Sequence, residues 1–258
     1  MAGKPSRTSR LWGLAGLMVL LALWEWGHRA YGPLVLPGLD DTALALLRLV
    51  EDGRVGPALA ETAGNAGVGW AAGALAGLAA GTLAGLRDAV QRALQPVAVV
   101  FLGIPAIAWV VMALLWFGGR WAVVFTVAVA TGPLVFAAAV EGVRSLDGAL
   151  LRMARAFRVP VTAQLVHLHA PHMLSHLFPA FATTLAMSWK VSVMAELLAG
   201  AGGIGDGLAR ARAHVDTAEI MAWVVVVVGV LVVVDLALLQ PLQRRMWFWR
   251  DDGRSVGR

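Results

Sequence analysis

The sequence predicts an all-α, polytopic membrane helix bundle of about six transmembrane helices. Three observations lead there. Hydrophobic residues fill 59% of the 258 positions and charged residues only 14%, against about a quarter in soluble domains, so the chain suits lipid as its solvent. Six apolar runs approach or exceed the roughly 20 residues that a helix needs to cross a hydrocarbon core. The Lys and Arg residues crowd into short connections and chain ends rather than into a basic stripe interleaved with aromatics, so no nucleic-acid partner is expected.

The expected spans are 11–26, 58–86, 94–117, 121–140, 180–199 and 221–239, within one transmembrane domain over 11–250. Tails are expected at 1–10 and 251–258. The first run follows Lys4, Arg7 and Arg10 as a signal peptide would, but no small-x-small cleavage site precedes Glu25-Trp26, so it is read as a retained anchor. Segment 31–57 opens with Gly32-Pro33 and Pro37-Gly38 turns. Asp40-Asp41-Thr42 then offers an N-cap, Leu44, Leu47 and Val50 make one apolar face, and Gly53 stops it. This reads as a short helix on the outer surface.

The second span carries Gly69, Gly73, Gly77, Gly81 and Gly85, one every four residues. Small residues at that spacing let another helix approach closely in lipid, where van der Waals contact drives association. They are read as packing positions within one chain.

Orientation follows from positive charge. With the N-terminus inside, inner segments hold fourteen Lys and Arg residues (Lys4, Arg7, Arg10, Arg87, Arg92, Arg144, Arg152, Arg155, Arg158, Arg244, Arg245, Arg250, Arg254, Arg258). Outer segments hold six (Arg29, Arg48, Arg54, Arg120, Arg210, Arg212), and Lys190 lies inside a span. The bias places both termini in the cytoplasm.

Segment 141–179 is then a cytoplasmic loop. It is basic, yet Ala154, Phe157, Val161, Leu165 and Leu168 recur at helical spacing, so an ordered element hangs beneath the bundle with a face to bury. In the fifth span a charge at mid-bilayer costs roughly 2.5–3.5 kcal/mol, so Lys190 should face protein or water. Thr183, Met187, Lys190 and Met194 share one side of that helix; Thr184, Ser188, Ser192 and Glu196 run up the other. One side is expected to line a solute path and the other to pack, leaving Lys190, Met187, Met194, Ser188, Ser192 and Glu196 as path candidates. Asp235 in the last span is an alternative ion partner for Lys190.

Several chemistries are excluded or unsupported. Cysteine is absent, so there is no disulfide frame and no thiol nucleophile. The two lysines, Lys4 and Lys190, lie outside any G-x-x-x-x-G-K-[ST] loop, so the chain has no Walker loop of its own. Gly200 to Gly205 follows a span rather than a strand and reads as a turn into a short outer helix. No G-x-S-x-G occurs, and Glu25, Glu61 and Glu196 are not paired as acid and base, so no catalytic residue is assigned. His172 and His176 are one turn apart within His167, His169, His172 and His176, a chelating spacing, but no carboxylate or thiol joins them and no metal site is assigned.

The order of an inner helical loop, a span ending in Glu196-Leu-Leu, a Gly203-Ile-Gly205 turn, a short outer helix, a last span and Arg244-Arg245 resembles the membrane subunit of type I ABC importers, in the nitrate/sulfonate/taurine/bicarbonate permease group. The resemblance covers roughly residues 34–249. It implies a permease of the bacterial inner membrane that takes in a small anionic solute and catalyses nothing itself. ATP and Mg would sit on a separate ATPase dimer. A substrate-binding protein and a second permease subunit, most simply an identical one, would complete the assembly. The family's coupling helix then corresponds to Arg152-Met-Ala-Arg-Ala-Phe-Arg158, and coupling at 152–162 would fall on Arg152, Ala154, Arg155, Phe157, Arg158, Pro160 and Val161. Two residues depart from the family pattern: Arg152 stands where an acidic residue is usual, and Arg158 where glycine is usual. Val159-Pro160 is expected to supply the turn that this glycine makes. The alternative is a self-contained secondary carrier or channel for a small solute.

Overall fold

In the computed structural model, residues 7–145, 148–164, 168 and 170–234 are described. Every regular element among them is an α-helix: α1 (Arg7–Tyr31), α2 (Leu39–Glu51), α3 (Val55–Leu86), α4 (Asp88–Gly103), α5 (Ala106–Trp116), α6 (Gly119–Arg144), α7 (Gly148–Ala156), α8 (Val161–Gln164), α9 (Ala170–Ala199), α10 (Gly203–Ala213) and α11 (Thr217–Val234).

Helices α3, α6 and α9 form the centre. The glycine stripe of α3 lies against α6: Gly69 meets Val127, Gly73 meets Ala128 and Thr131, Gly77 meets Gly132 and Val135, Gly81 meets Phe136 and Ala139, and Gly85 meets Val143. A methyl group built on Gly73 or Gly81 would fall 2.5 Å from a carbonyl oxygen of α6. Only hydrogen fits there, so the two helices lie in close contact over about four turns. On the other side Trp70 of α3 donates its indole N–H to Thr184 Oγ1 of α9 at 3.0 Å and packs edge-on against Phe181.

The bundle has two distinct ends. At one, α3 finishes, α6 finishes and α9 begins; Arg144 pairs with Asp88, and Gly142 lies under Met173 and His176. At the other, Arg54 pairs with Glu219 at 2.6 Å, and Thr217 Oγ1 donates to the Pro33 carbonyl at 3.0 Å.

Among the described residues three helices, α3, α6 and α11, are singly long and apolar enough to cross a membrane. Two bent pairs, α4 with α5 and α9 with α10, bring the candidate crossings to five. The first expected span, 11–26, lies within the continuous α1. Two expectations need correction. The third expected span, 94–117, is not one helix. It breaks at Ile104-Pro105 with a bend of 98°, because Pro105 has no N–H to donate and drives Ile104 into an extended conformation (φ −79°, ψ 124°). Nor do Asp40, Asp41 and Thr42 cap α2. Gly38 holds that place and Thr42 Oγ1 donates back to its carbonyl at 2.9 Å, while the two aspartates lie in the first turn, where they favour the helix dipole. Gly53 ends the segment with φ 67°. Asp235, Arg244, Arg245, the end of the sixth expected span and both expected chain tails, apart from 7–10, lie outside the described residues.

Candidate functional site

Two regions carry the residues singled out above. The first hangs at the α3–α6–α9 end. Helix α7 follows α6 after a short connection, and its Ala154 is buried, 7% exposed. Met153 and Phe157 point away, 57% and 78% exposed, beside exposed Arg152, Arg158 and Pro160. The spacing of Ala154 and Phe157 therefore does not mark one face of one long helix. The helix stops at Ala156, and α8 is a separate turn.

The stop is made by Arg158 itself. Its φ is 53°, the left-handed region, and the Val159 N–H reaches back to the Ala154 carbonyl at 2.9 Å, the six-to-one bond of a Schellman closure. Val159-Pro160 does not substitute for the missing glycine; arginine adopts glycine's conformation. Gln164 then ties the turn to α8, its side-chain N–H donating to the Val159 carbonyl at 2.7 Å. The side chains of Arg155 and Val161, and residues Leu165, His167 and His169, lie outside what is described.

The second region is α9. Burial separates its two faces. Lys190 and Thr183 are exposed on the flank of the chain and Met187 is half-buried. Met194, also half-buried, packs beside Val110, Val123 and Ala195. Lys190 makes no ion pair among the described residues. The opposite face is packed: Ser188 is 1% exposed, and Ser192 and Glu196 are fully buried. These three do not line an open surface of the chain.

Glu196 instead organises a polar cluster between α3, α9 and α10. Its Oε2 accepts from Thr62 Oγ1 at 2.8 Å and from the Gly205 N–H at 3.3 Å; its Oε1 accepts from Asn65 Nδ2 at 3.0 Å and from Ser192 Oγ at 3.3 Å. Thr62 Oγ1 in turn accepts the Ile204 N–H at 2.9 Å. Ile204 and Gly205 are the second and third residues of α10, whose amides a capping side chain normally serves. Here Gly202 holds the cap position with φ 76° and no side chain, and the acceptors come from α3 and α9. Four donors around a buried carboxylate replace the water it has lost. Sequence reading missed Thr62 and Asn65. Their signal was available: both are polar and lie on the same stripe of α3 as Gly69 and Gly73.

Among the described residues no group of three or more His, Asp or Glu side chains is gathered as a metal site. His172 and His176 sit at the start of α9 beside Ser145.

Residues 73–246, from the middle of α3 onward, match the family of binding-protein-dependent transport system inner membrane components. The chain belongs to this family. The permease is similar to the protein named as the aliphatic sulfonates transport permease SsuC of Bacillus subtilis (strain 168), 25% identical over 96% of this chain and 91% of that one. It is similar to the Escherichia coli (strain K12) SsuC, at 27% identity over 88% of each. The E. coli taurine transport system permease TauC is 25% identical over 63% of this chain and 59% of its own length. A chain from the inward-facing MetNI methionine ABC transporter shares the fold, with a TM-score of 0.60 at 18% identity over 71% of this chain and 92% of that one. The permease is thus a transport subunit of the ABC importer class, similar to permeases named for aliphatic sulfonates and taurine.

Proposed function

We propose that this permease forms the path for a small anionic solute of the sulfonate, taurine or nitrate kind. It couples to a separate ATPase dimer through 152–162 and receives its solute from a binding protein. The observation that carries the coupling role is Phe157: an aromatic ring 78% exposed in the turn that closes α7, one turn from the exposed Met153. Phe157 and Met153 present neighbouring apolar side chains among arginines, and aromatic anchors of this kind carry much of the energy once a partner buries them. The end that bears Phe157 is the cytoplasmic one in this reading, which puts both termini inside, in a bacterial inner membrane. ATP and Mg are held by the partner.

The solute class rests on the relatives' names and on Lys190, a cation on the flank of α9 that a second copy of the chain would enclose. Met187 and Met194 border it. The packed Ser188, Ser192 and Glu196 hold the helix that presents it. Arg152, where relatives carry an acid, meets a more acidic ATPase groove than usual.

Phe157→Ala decides the coupling claim. The variant is expected to insert at wild-type levels, to lose copurification with its ATPase, and to lose uptake. Normal uptake by this variant would refute the coupling role. Uptake that persists under vanadate and follows an ion gradient would establish the rival, a self-contained carrier. Lys190→Met tests the path: assembly is retained and uptake lost.

A further inference from the structure

The geometry points to a divalent transition-metal site of the Zn2+ type formed by His172, His176 and Ser145 at the base of the 145–170 segment. Gly142 makes it reachable. A Cβ there would lie 3.3 Å from the Met173 Cα and 3.5 Å from the His176 Cβ, so the last turn of α6 runs directly beneath the first turns of α9. One turn-length further along α6, the Ser145 hydroxyl is fixed by donating to the Glu141 carbonyl at 2.6 Å. Both histidines turn to that oxygen. His172 Nε2 lies 2.9 Å from it and His176 Nε2 3.1 Å, with ring centroids 5.2 Å apart.

Two imidazoles one helical turn apart, with the same ring nitrogen aimed at one point, are the pair that a helix supplies to zinc. Zinc–nitrogen bonds are about 2.0–2.1 Å, so movements of about 1 Å bring both Nε2 atoms onto an ion between them. Each ring then carries its proton on Nδ1 and gives its Nε2 lone pair. The Ser145 oxygen and solvent complete the tetrahedron. Local charge permits it: the neighbouring Arg144 is neutralised by Asp88, and Glu141 lies one turn earlier on the Ser145 face. The sequence shows no carboxylate or thiol beside these histidines; the fold adds a hydroxyl from another helix. An ion there joins α6 to α9 where the chain departs toward α7 and where it returns, fixing both roots of that segment.

The full chain, purified in detergent without a polyhistidine tag and stripped with a chelator, is equilibrated with Zn2+ and its metal content measured by mass spectrometry. One zinc per chain is expected. It is lost in His172→Ala and in His176→Ala and kept in His214→Ala. Absence of stoichiometric zinc in the native chain, or zinc kept in both α9 variants, overturns the site. Should either variant aggregate, Cu2+ bound to the native chain is read by electron paramagnetic resonance. Coupling to two imidazole nitrogens supports the site, and coupling to fewer overturns it.

Discussion

Arg158 stands where the family resemblance leads one to expect glycine, and its φ of 53° is a glycine conformation. For a residue with a Cβ the left-handed region costs on the order of 1 kcal/mol. Arg158→Gly is therefore expected to raise the stability of the purified permease by about that amount, read as a higher unfolding temperature in detergent. Arg158→Ala keeps the Cβ and gains nothing; equal gains from both would assign the effect to charge instead. Glu196 is the opposite case, a residue with every interaction in use. Glu196→Ala leaves Thr62, Asn65, Ser192 and the Gly205 amide without an acceptor, at about 1–3 kcal/mol for each buried group stranded. Glu196→Gln keeps one acceptor oxygen, and Asn65, whose Oδ1 has no partner among the described residues, is able to turn its amide toward the new NH2. Expression and melting temperature should rank wild type, Gln, then Ala. An order with Ala above Gln would contradict the cluster. A buried acid at a span end is visible in sequence, but two of its four donors, Thr62 and Asn65, lie more than 130 positions away, so no local pattern announces them.

On α3 the same substitution has opposite outcomes at two glycines. Gly73→Ala forces a methyl group against the Ala128 carbonyl and Thr131, and overpacking of this kind costs about 1–3 kcal/mol. Gly67 has open space where a Cβ would go, so Gly67→Ala should stabilise α3 by up to about 1 kcal/mol, the helix-propensity gain of alanine over glycine. Matching melting temperatures for the two variants would show that α3 does not rest on α6 through this stripe. The stripe was legible because a four-residue period of glycine in an apolar run has few other uses. The extents of α3, α6 and α9 were legible to within a few residues at their apolar ends. The break after Gly103 was misread, because the apolar run continues through Pro105 and hydropathy alone cannot register a missing N–H. Helix α7 was misjudged for a related reason: helical spacing persists across a turn that backbone conformation, not composition, enforces.

For the molecule as a whole, the two ends of the bundle must face opposite compartments. The sequence contains no cysteine, so single replacements report cleanly. Cysteine at Phe157 is expected to react with an impermeant maleimide only from the cytoplasmic side, and cysteine at Val215, 71% exposed at the other end, only from outside. Labelling of both from one side would overturn the arrangement. Charge bias alone yielded this orientation, whereas the seating of α10 required the fold. That helix is held by backbone amides gripped from α3 and α9, and its entry turn runs through Gly202 and Gly203 at φ 76° and 80°. None of its own outward side chains takes part in that grip. Changes on its outer surface should consequently leave both the bend and the seating of the helix intact.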